Sequence, residues 1–200
     1  MIINKLKDIP RVITKEWRQE HISKNSRDNK VEKFQKRVIL EDLGINLNHY
    51  PLDDKGKTLR NVRINKRTLE FKNLYKITDR EDFVDWTEDF DGIYQLNGST
   101  YYWNLKMIPD SGGAQNRSIR PVIDMVEAFA KHIKKNKSTD KFFICITDGE
   151  YYLNFADERS GNTRSQFEYA IDQVNGDLRK YFFIGPSHDL KDWWEAISEK

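Results

Sequence analysis

Apolar side chains recur at helical spacing near both ends of the chain. From Asp28 to Leu43 they mark one face, and Gly44 follows where a C-terminal cap belongs, so we predict a helix there. Shorter helical stretches are expected within residues 1–26 and 164–174. A closing helix is predicted from a last apolar face, which comprises Leu190, Trp193, Trp194 and Ile197. We expect its two tryptophans in the core or at an interface.

The most regular amphipathic pattern predicts a helix from about Ser118 to Lys135. Its apolar face consists of Val122, Met125, Val126, Phe129 and Ile133. Pro121 would fall in the first turn, where its missing N–H costs little. The polar, glycine-rich segment Pro109–Arg117 before the helix predicts a loop.

A β-hairpin is predicted between Asp91 and Ile108. Its turn is Asn97-Gly98, because this dipeptide between apolar or aromatic runs is the strongest short-range hairpin signal. Side chains two residues apart on a strand share a face. We therefore expect Asn104 and Lys106 to face Asp91 across the hairpin.

A continuous apolar run, Phe142–Ile146, predicts a strand buried on both faces. The order of hairpin strand, helix and buried strand is a βαβ crossover, which gives the sheet a parallel part. Further short strands are predicted near residues 62–64, 69–75 and 181–184, and Asp148-Gly149 predicts a turn. The whole predicts one α/β domain over residues 1–200, a mixed β-sheet flanked by α-helices.

Composition indicates a folded chain without a membrane span or a signal peptide. The only cysteine, Cys145, cannot form an internal disulfide and lies in the buried run, so we expect a structural thiol in an intracellular, cytoplasmic protein. The net charge is only +2, but its distribution is uneven. Basic residues crowd the first eighty positions and residues 117–141, and acidic residues gather between Asp79 and Asp91, which suits a site that binds metal and DNA together.

Asp91, Asn104 and Lys106 carry the candidate chemistry. Carboxylate and amide oxygens can hold Mg²⁺, which polarises a phosphate and lowers the pKa of a bound water. A nearby lysine can orient that water or stabilise the transition state. Lys106 lies in an otherwise apolar run, where a lysine needs a partner or a pocket. The three residues therefore favour phosphodiester hydrolysis over an ordinary surface hairpin.

Asp91-Gly92 before the hairpin and Asn104-Leu105-Lys106 on its second strand resemble the signature of the PD-(D/E)xK nucleases, and among these the type II restriction endonucleases. The resemblance covers roughly residues 28–150. It implies a restriction-endonuclease-like core, Mg²⁺ as cofactor and the backbone carbonyl of Leu105 as a further metal ligand. It also implies a role at the metal site for Glu32 on the earlier helix.

The same resemblance implies that the loop and helix start at Ser111–Arg120 lie along double-stranded DNA. Arg117 and Arg120 would contact phosphate or guanine, while Gln115 and Asn116 would read adenine edges. Ser111 belongs to the same expected DNA-binding surface. The alternative interpretation of the two arginines is a solvated helix start.

Two positions depart from the family pattern. Phe90 stands where the motif has proline, which matters little, and Asn104 stands where the family has Asp or Glu. The amide is uncharged, so metal affinity should drop. Asn104 is interpreted as a natural variant with charge from Glu32, Glu88 or Asp89, as an inactivating substitution made to trap a substrate complex, or as the mark of a non-cleaving relative.

The sequence thus predicts a Mg²⁺-dependent, sequence-specific double-stranded DNA endonuclease of restriction type. A homodimer is expected, because symmetric cutting of both strands usually requires two-fold symmetry. Two alternatives remain open: a repair or recombination nuclease that nicks DNA, and a DNA-binding subunit that does not cut.

Overall fold

The computed structural model describes residues 3–22, 30–53, 55–74, 84–108, 115–149 and 176–198, with residues 172 and 174, and only the backbone of residues 115–118. The described residues form a mixed α/β fold with a four-stranded sheet between helices. The helix predicted over 164–174 lies outside them, apart from its two isolated residues.

The strands form two sheets. A small antiparallel sheet pairs β1 (Val62–Ile64) with β2 (Phe71–Asn73). The larger sheet has the order β3 (Gly92–Leu96), β4 (Ser99–Met107), β5 (Lys141–Asp148) and β6 (Phe182–Gly185). Strand β3 is antiparallel to β4, while β4, β5 and β6 run parallel. The predicted hairpin, buried strand and parallel crossover are confirmed; β6 begins one residue later than predicted, because Tyr181 ends a 3₁₀ turn that spans Gly176–Tyr181.

The helix predicted from residue 28 to 43 is confirmed over residues 30–43, since its first two positions lie outside the described residues. The helix near the C-terminus is confirmed too, and the N-terminal segment is helical in part. The described helices are α1 (Lys15–His21), α2 (Lys30–Leu43), α3 (Gln115–Asn136) and α4 (Ser187–Ser198), with a 3₁₀ turn at Leu6–Asp8. None of them is long and apolar enough to cross a membrane.

Helix α3 begins earlier than the sequence predicts. Gln115, Asn116 and Arg117 are helical, so the predicted loop ends before them, and Pro121 lies in the second turn rather than the first. A proline there removes the bond to the carbonyl four residues earlier, that of Arg117. The buried apolar face of the helix offsets this loss, because it packs along the sheet.

The hairpin turn fixes the register that brings the candidate site together. Asn97 and Gly98 both have positive φ, 50° and 77°, as a type I′ turn requires. The register pairs Gly92 with Trp103, and one further step places Asp91 opposite Asn104. The predicted pairing across the hairpin is thus realised in the backbone.

The two faces of the sheet bury separate apolar clusters. Strand β4 sends Tyr102 towards α3 and the small sheet, and sends Trp103 and Leu105 towards α2, α4 and the N-terminal segment. Cys145 is fully buried on the α3 side, which confirms the predicted structural thiol.

Candidate active site

Asp91 lies just before β3 and is held by the backbone of β4. Its N–H donates to the carbonyl of Trp103 at 2.8 Å. Its Oδ2 accepts the N–H of Leu105 at 2.7 Å, and the Nδ2 of Asn104 lies 3.5 Å from the same oxygen. Among the described residues, the donors to the Asp91 carboxylate therefore all bind one oxygen, Oδ2. These bonds give the carboxylate a fixed orientation.

The environment of Asp91 makes its carboxyl group harder to ionise than a carboxyl group in water. Burial raises the pKa of Asp91 to about 6, although the ammonium of Lys106 and the Leu105 N–H both lower it. Glu32 also raises the pKa of Asp91, and Lys36 lowers it, but both effects are smaller. A buried carboxyl group with a strongly perturbed pKa is a frequent sign of a functional site.

Asn104 is fully buried beside Asp91. Its Oδ1 faces the Sγ of Cys145 at 3.6 Å, and its Nδ2 faces Asp91. This orientation suits a carboxylate neighbour, since the amide N–H group donates to it. Rotation of the amide by a half turn would bring Oδ1 to the Asp91 side, where it could join Asp91 as a cation ligand.

Lys106 points to the same end of the hairpin and is half-buried. Its Nζ lies 2.9 Å from Oε2 of Glu88. Burial alone would lower the pKa of Lys106, but Asp91 and Glu88 outweigh it and raise this pKa. Of the two acidic residues considered as extra charges before β3, Glu88 faces the site, while Asp89 pairs with Arg63 at 3.1 Å.

Helix α2 brings a second charged pair to the site. Oε1 of Glu32 lies 2.7 Å from Nζ of Lys36, one helical turn later. Glu32 raises the pKa of Asp91 and Lys36 lowers it, both by less than Lys106 and the Leu105 N–H do. Glu32 was predicted from the sequence, whereas Lys36 was missed. The spacing of four residues between the acid and the lysine was the available signal.

A buried hydrogen-bond network fixes α2 against the ends of β4 and β5. Nε2 of Gln35 donates to Oδ2 of Asp148 at 2.8 Å and lies 3.3 Å from the carbonyl of Lys106. Asp148 also accepts the N–H and Oγ–H of Ser187, the first residue of α4, at 2.7 and 2.5 Å. Asp148 was read from the sequence as part of a turn; it is instead the fully buried last residue of β5.

Gly149 directly follows Asp148 and packs closely against the backbone of Ile108. Its φ is +116°, and a Cβ built on it would lie 2.2 Å from the carbonyl oxygen of Ile108. Only glycine fits such an approach. The sequence therefore needs glycine at this position to place Asp148 beside α2 and α4.

The donor set at the hairpin end fits a hard divalent cation. It comprises the Asp91 carboxylate, the Asn104 amide and the carbonyl of Leu105. In an antiparallel strand the N–H and C=O of one residue point to the same side, so this carbonyl shares the Asp91 side with the Leu105 N–H. Oxygen ligands of these kinds are those that Mg²⁺ prefers. Among the described residues, no three His, Cys, Asp or Glu side chains converge on one point, so the set depends on the amide and the carbonyl.

The predicted DNA-binding residues lie at the start of α3. Gln115, Asn116 and Arg117 form its first turn, although their side chains are not described, and Ser111 lies outside the described residues. Arg120, in the second turn, is exposed. The lysines at 131, 134, 135 and 137, further along, are also exposed, as expected of a solvated face.

Comparisons with models of protein families, with curated proteins and with solved structures found no match for the chain.

Proposed function

We propose that this protein is a Mg²⁺-dependent, sequence-specific double-stranded DNA endonuclease of restriction type, with a restriction-endonuclease-like core of the PD-(D/E)xK kind. The observation that carries the proposal is the convergence of three polar residues at the end of the hairpin opposite its turn. Asp91, Asn104 and Lys106 are brought there by the turn and register of β3 and β4.

The proposed roles of the chain's own residues follow from their contacts. Asp91, held by the N–H of Leu105, presents a carboxylate of fixed orientation to the scissile phosphate and its cation. Lys106 is charged and half-buried, so it can bind a phosphoryl oxygen or orient the attacking water. Glu88 holds the ammonium in place until a substrate anion competes for it.

Mg²⁺ would be held by Asp91, the Asn104 amide oxygen and the Leu105 carbonyl, with Glu32 as an additional acid near the site. When bound, it would supply neutralisation of the phosphate charge and a lower pKa for an attacking water. Because Asn104 carries no charge, we expect weaker Mg²⁺ binding than in a site with two carboxylates there. Glu32 and Glu88 supply the remaining negative charge nearby.

The start of α3 supports DNA as the substrate. It follows β4 after seven residues and carries Arg117 in its first turn and Arg120 in its second, so basic residues follow the Lys106 strand closely in the chain. In the proposed complex these arginines bind phosphate or base edges of the duplex, with Gln115 and Asn116 beside them. Symmetric cleavage of both strands would require a homodimer.

Incubation of a supercoiled plasmid with the protein, in Mg²⁺ or in excess chelator, tests the proposal. Discrete linear fragments that appear only with Mg²⁺ support a restriction enzyme. Nicked circles or smears would indicate the repair or recombination type of nuclease. Retarded but uncut plasmid would indicate a DNA-binding subunit that does not cut.

A further inference from the structure

The least expected charged group of the site is Lys36, a lysine on the inner side of α2. Its side chain is only 7% exposed, whereas that of its partner Glu32 is 40% exposed. Burial of an ammonium group costs free energy unless an anion lies close to it. Lys36 therefore requires an anion at its end, and in the structure Glu32 provides one at 2.7 Å.

The segment of α2 that carries Lys36 is anchored to the ends of β4 and β5. The preceding residue, Gln35, lies within hydrogen-bond distance of the carbonyl of Lys106 and donates to Asp148. Lys36 also acts electrostatically on Asp91. Helix α2, anchored to the end of β4 through Gln35, thus carries a second ammonium group, which is paired with Glu32 and lowers the pKa of Asp91 as Lys106 does.

The two lysines of the site have matching arrangements. Lys106 pairs with Glu88 at 2.9 Å and Lys36 pairs with Glu32 at 2.7 Å; in each pair the carboxylate is the more exposed partner. The more exposed carboxylate can rotate into solvent once another anion replaces it, while the buried ammonium keeps its position and stays paired. Each pair can therefore exchange its carboxylate for another anion.

We propose that Lys36 is a second phosphate-binding lysine, which exchanges Glu32 for a phosphodiester oxygen when DNA enters the site. The proposal rests on the proposed nuclease function, because it takes DNA as the ligand. In the complex the phosphate anion replaces Glu32 as the required partner of the buried ammonium.

Titrations of a fluorescent DNA duplex at several salt concentrations, in chelator, test this exchange. Each phosphate neutralised by a lysine contributes about 0.9 to the slope of log affinity against log salt. We expect Lys36→Met to lower the magnitude of the slope by about that amount. Lys33→Met is the matched control, since Lys33 lies on the same helix but is exposed; its slope should equal that of the parent.

Two further variants separate a phosphate contact from a structural ion pair. Glu32→Gln removes the competing anion, so we expect tighter DNA binding in chelator with the parental slope. The double variant Glu32→Gln/Lys36→Met leaves no unpaired buried charge, and we expect it to retain the reduced slope. A double variant with parental affinity and slope would show that Lys36 only partners Glu32, and would overturn the proposal.

The outcomes also distinguish this proposal from the function on which it rests. If the parent cuts DNA with Mg²⁺ and Lys36→Met keeps the parental slope, the exchange is wrong and the nuclease proposal stands. If the parent binds no duplex in any salt, both are wrong.

Discussion

The carboxylate of Asp91 replaces a backbone carbonyl as a hydrogen-bond acceptor in the sheet. Its Oδ2 accepts the Leu105 N–H at 2.7 Å, just beyond the last residue pair of β3 and β4. A strand carbonyl would accept this N–H in a longer hairpin. The side chain that ends the hairpin is therefore also the group offered to a ligand. This arrangement links the fold of the hairpin directly to the proposed chemistry.

The raised pKa of Asp91 predicts a cost in stability at neutral pH. The folded carboxyl binds its proton more tightly than the unfolded one, so the free energy of unfolding falls as pH rises from about 4 to about 6. In chelator at pH 8, Asp91→Asn should be more stable than the parent by up to about 3 kcal/mol. The difference should shrink as the pH approaches 4.

Urea unfolding of both proteins across this pH range measures the effect. Asp89→Asn is the control, because Asp89 is exposed and pairs with Arg63; its effect should stay within about 1 kcal/mol. An Asp91→Asn variant less stable than the parent at pH 8 would contradict the inferred environment of the carboxylate.

Asn104 should respond to charge in a metal-dependent way. Asn104→Asp would place a second carboxylate 3.5 Å from Asp91, in the place of the amide Nδ2. In chelator we expect a lower Tm than the parent, because the two like charges repel. Mg²⁺ should raise the Tm of this variant more than that of the parent, and cleavage should need less Mg²⁺.

Asn104→Ala is the companion variant. If the amide is a metal ligand, this variant should lose cleavage activity. Equal cleavage by the alanine variant and the parent would show that Asn104 is not part of the active site. If the parent is inert and Asn104→Asp or Asn104→Glu cuts, Asn104 is an inactivating residue. Thermal melts and cleavage at graded Mg²⁺ concentrations separate these outcomes.

The start of α3 should contribute to DNA binding through Arg117 or Arg120. An alanine variant at a phosphate contact should weaken binding to all sequences and lower the salt slope by about one. An alanine variant at a base contact should lose roughly 1–3 kcal/mol of binding free energy and relax specificity at one position of the recognition site. Lys134→Ala, on the solvated part of the same helix, is the control. Parental affinity, slope and site preference in both arginine variants would show that this surface does not bind DNA.

The Asp148 network should depend on a carboxylate rather than an amide. Burial raises the pKa of Asp148, while the donors from Ser187 and Gln35 lower it. Asp148→Asn would turn an N–H group towards some of these donors, and a buried donor without an acceptor costs about 1–3 kcal/mol. We expect chemical denaturation to show a loss of this size in the free energy of unfolding of Asp148→Asn. The control Asp192→Asn, at an exposed residue, should show almost no loss. Unchanged stability of Asp148→Asn would show that the network contributes little.

The core of the fold could be predicted because its signals are local. Asn97-Gly98 fixes the hairpin, and the apolar run Phe142–Ile146 requires a buried strand. The register of the hairpin then follows from its two-residue turn, and it brings Asp91, Asn104 and Lys106 together. These parts of the candidate site needed no information from distant segments.

The rest of the site depends on long-range packing. Gln35 and Asp148 are 113 residues apart, and no periodicity in the sequence connects them. The burial of Lys36 likewise depends on how α2 lies on the sheet, while its own helix gives only the spacing to Glu32. The early start of α3 was missed because glycine and polar residues mask its first turn and Pro121 suggested a later one.

Single-turnover cleavage by the parent, Asp91→Asn, Lys106→Met and the control Asp89→Asn, each with Mg²⁺ and with chelator, tests the nuclease proposal most directly. We predict that the parent and Asp89→Asn cut only with Mg²⁺, while both site variants remain folded and lose at least two orders of magnitude in rate. Removal of one preorganised charge-stabilising group typically has an effect of about this size. Parental cleavage by Asp91→Asn or Lys106→Met, or cleavage by the parent in excess chelator, would contradict the proposed site.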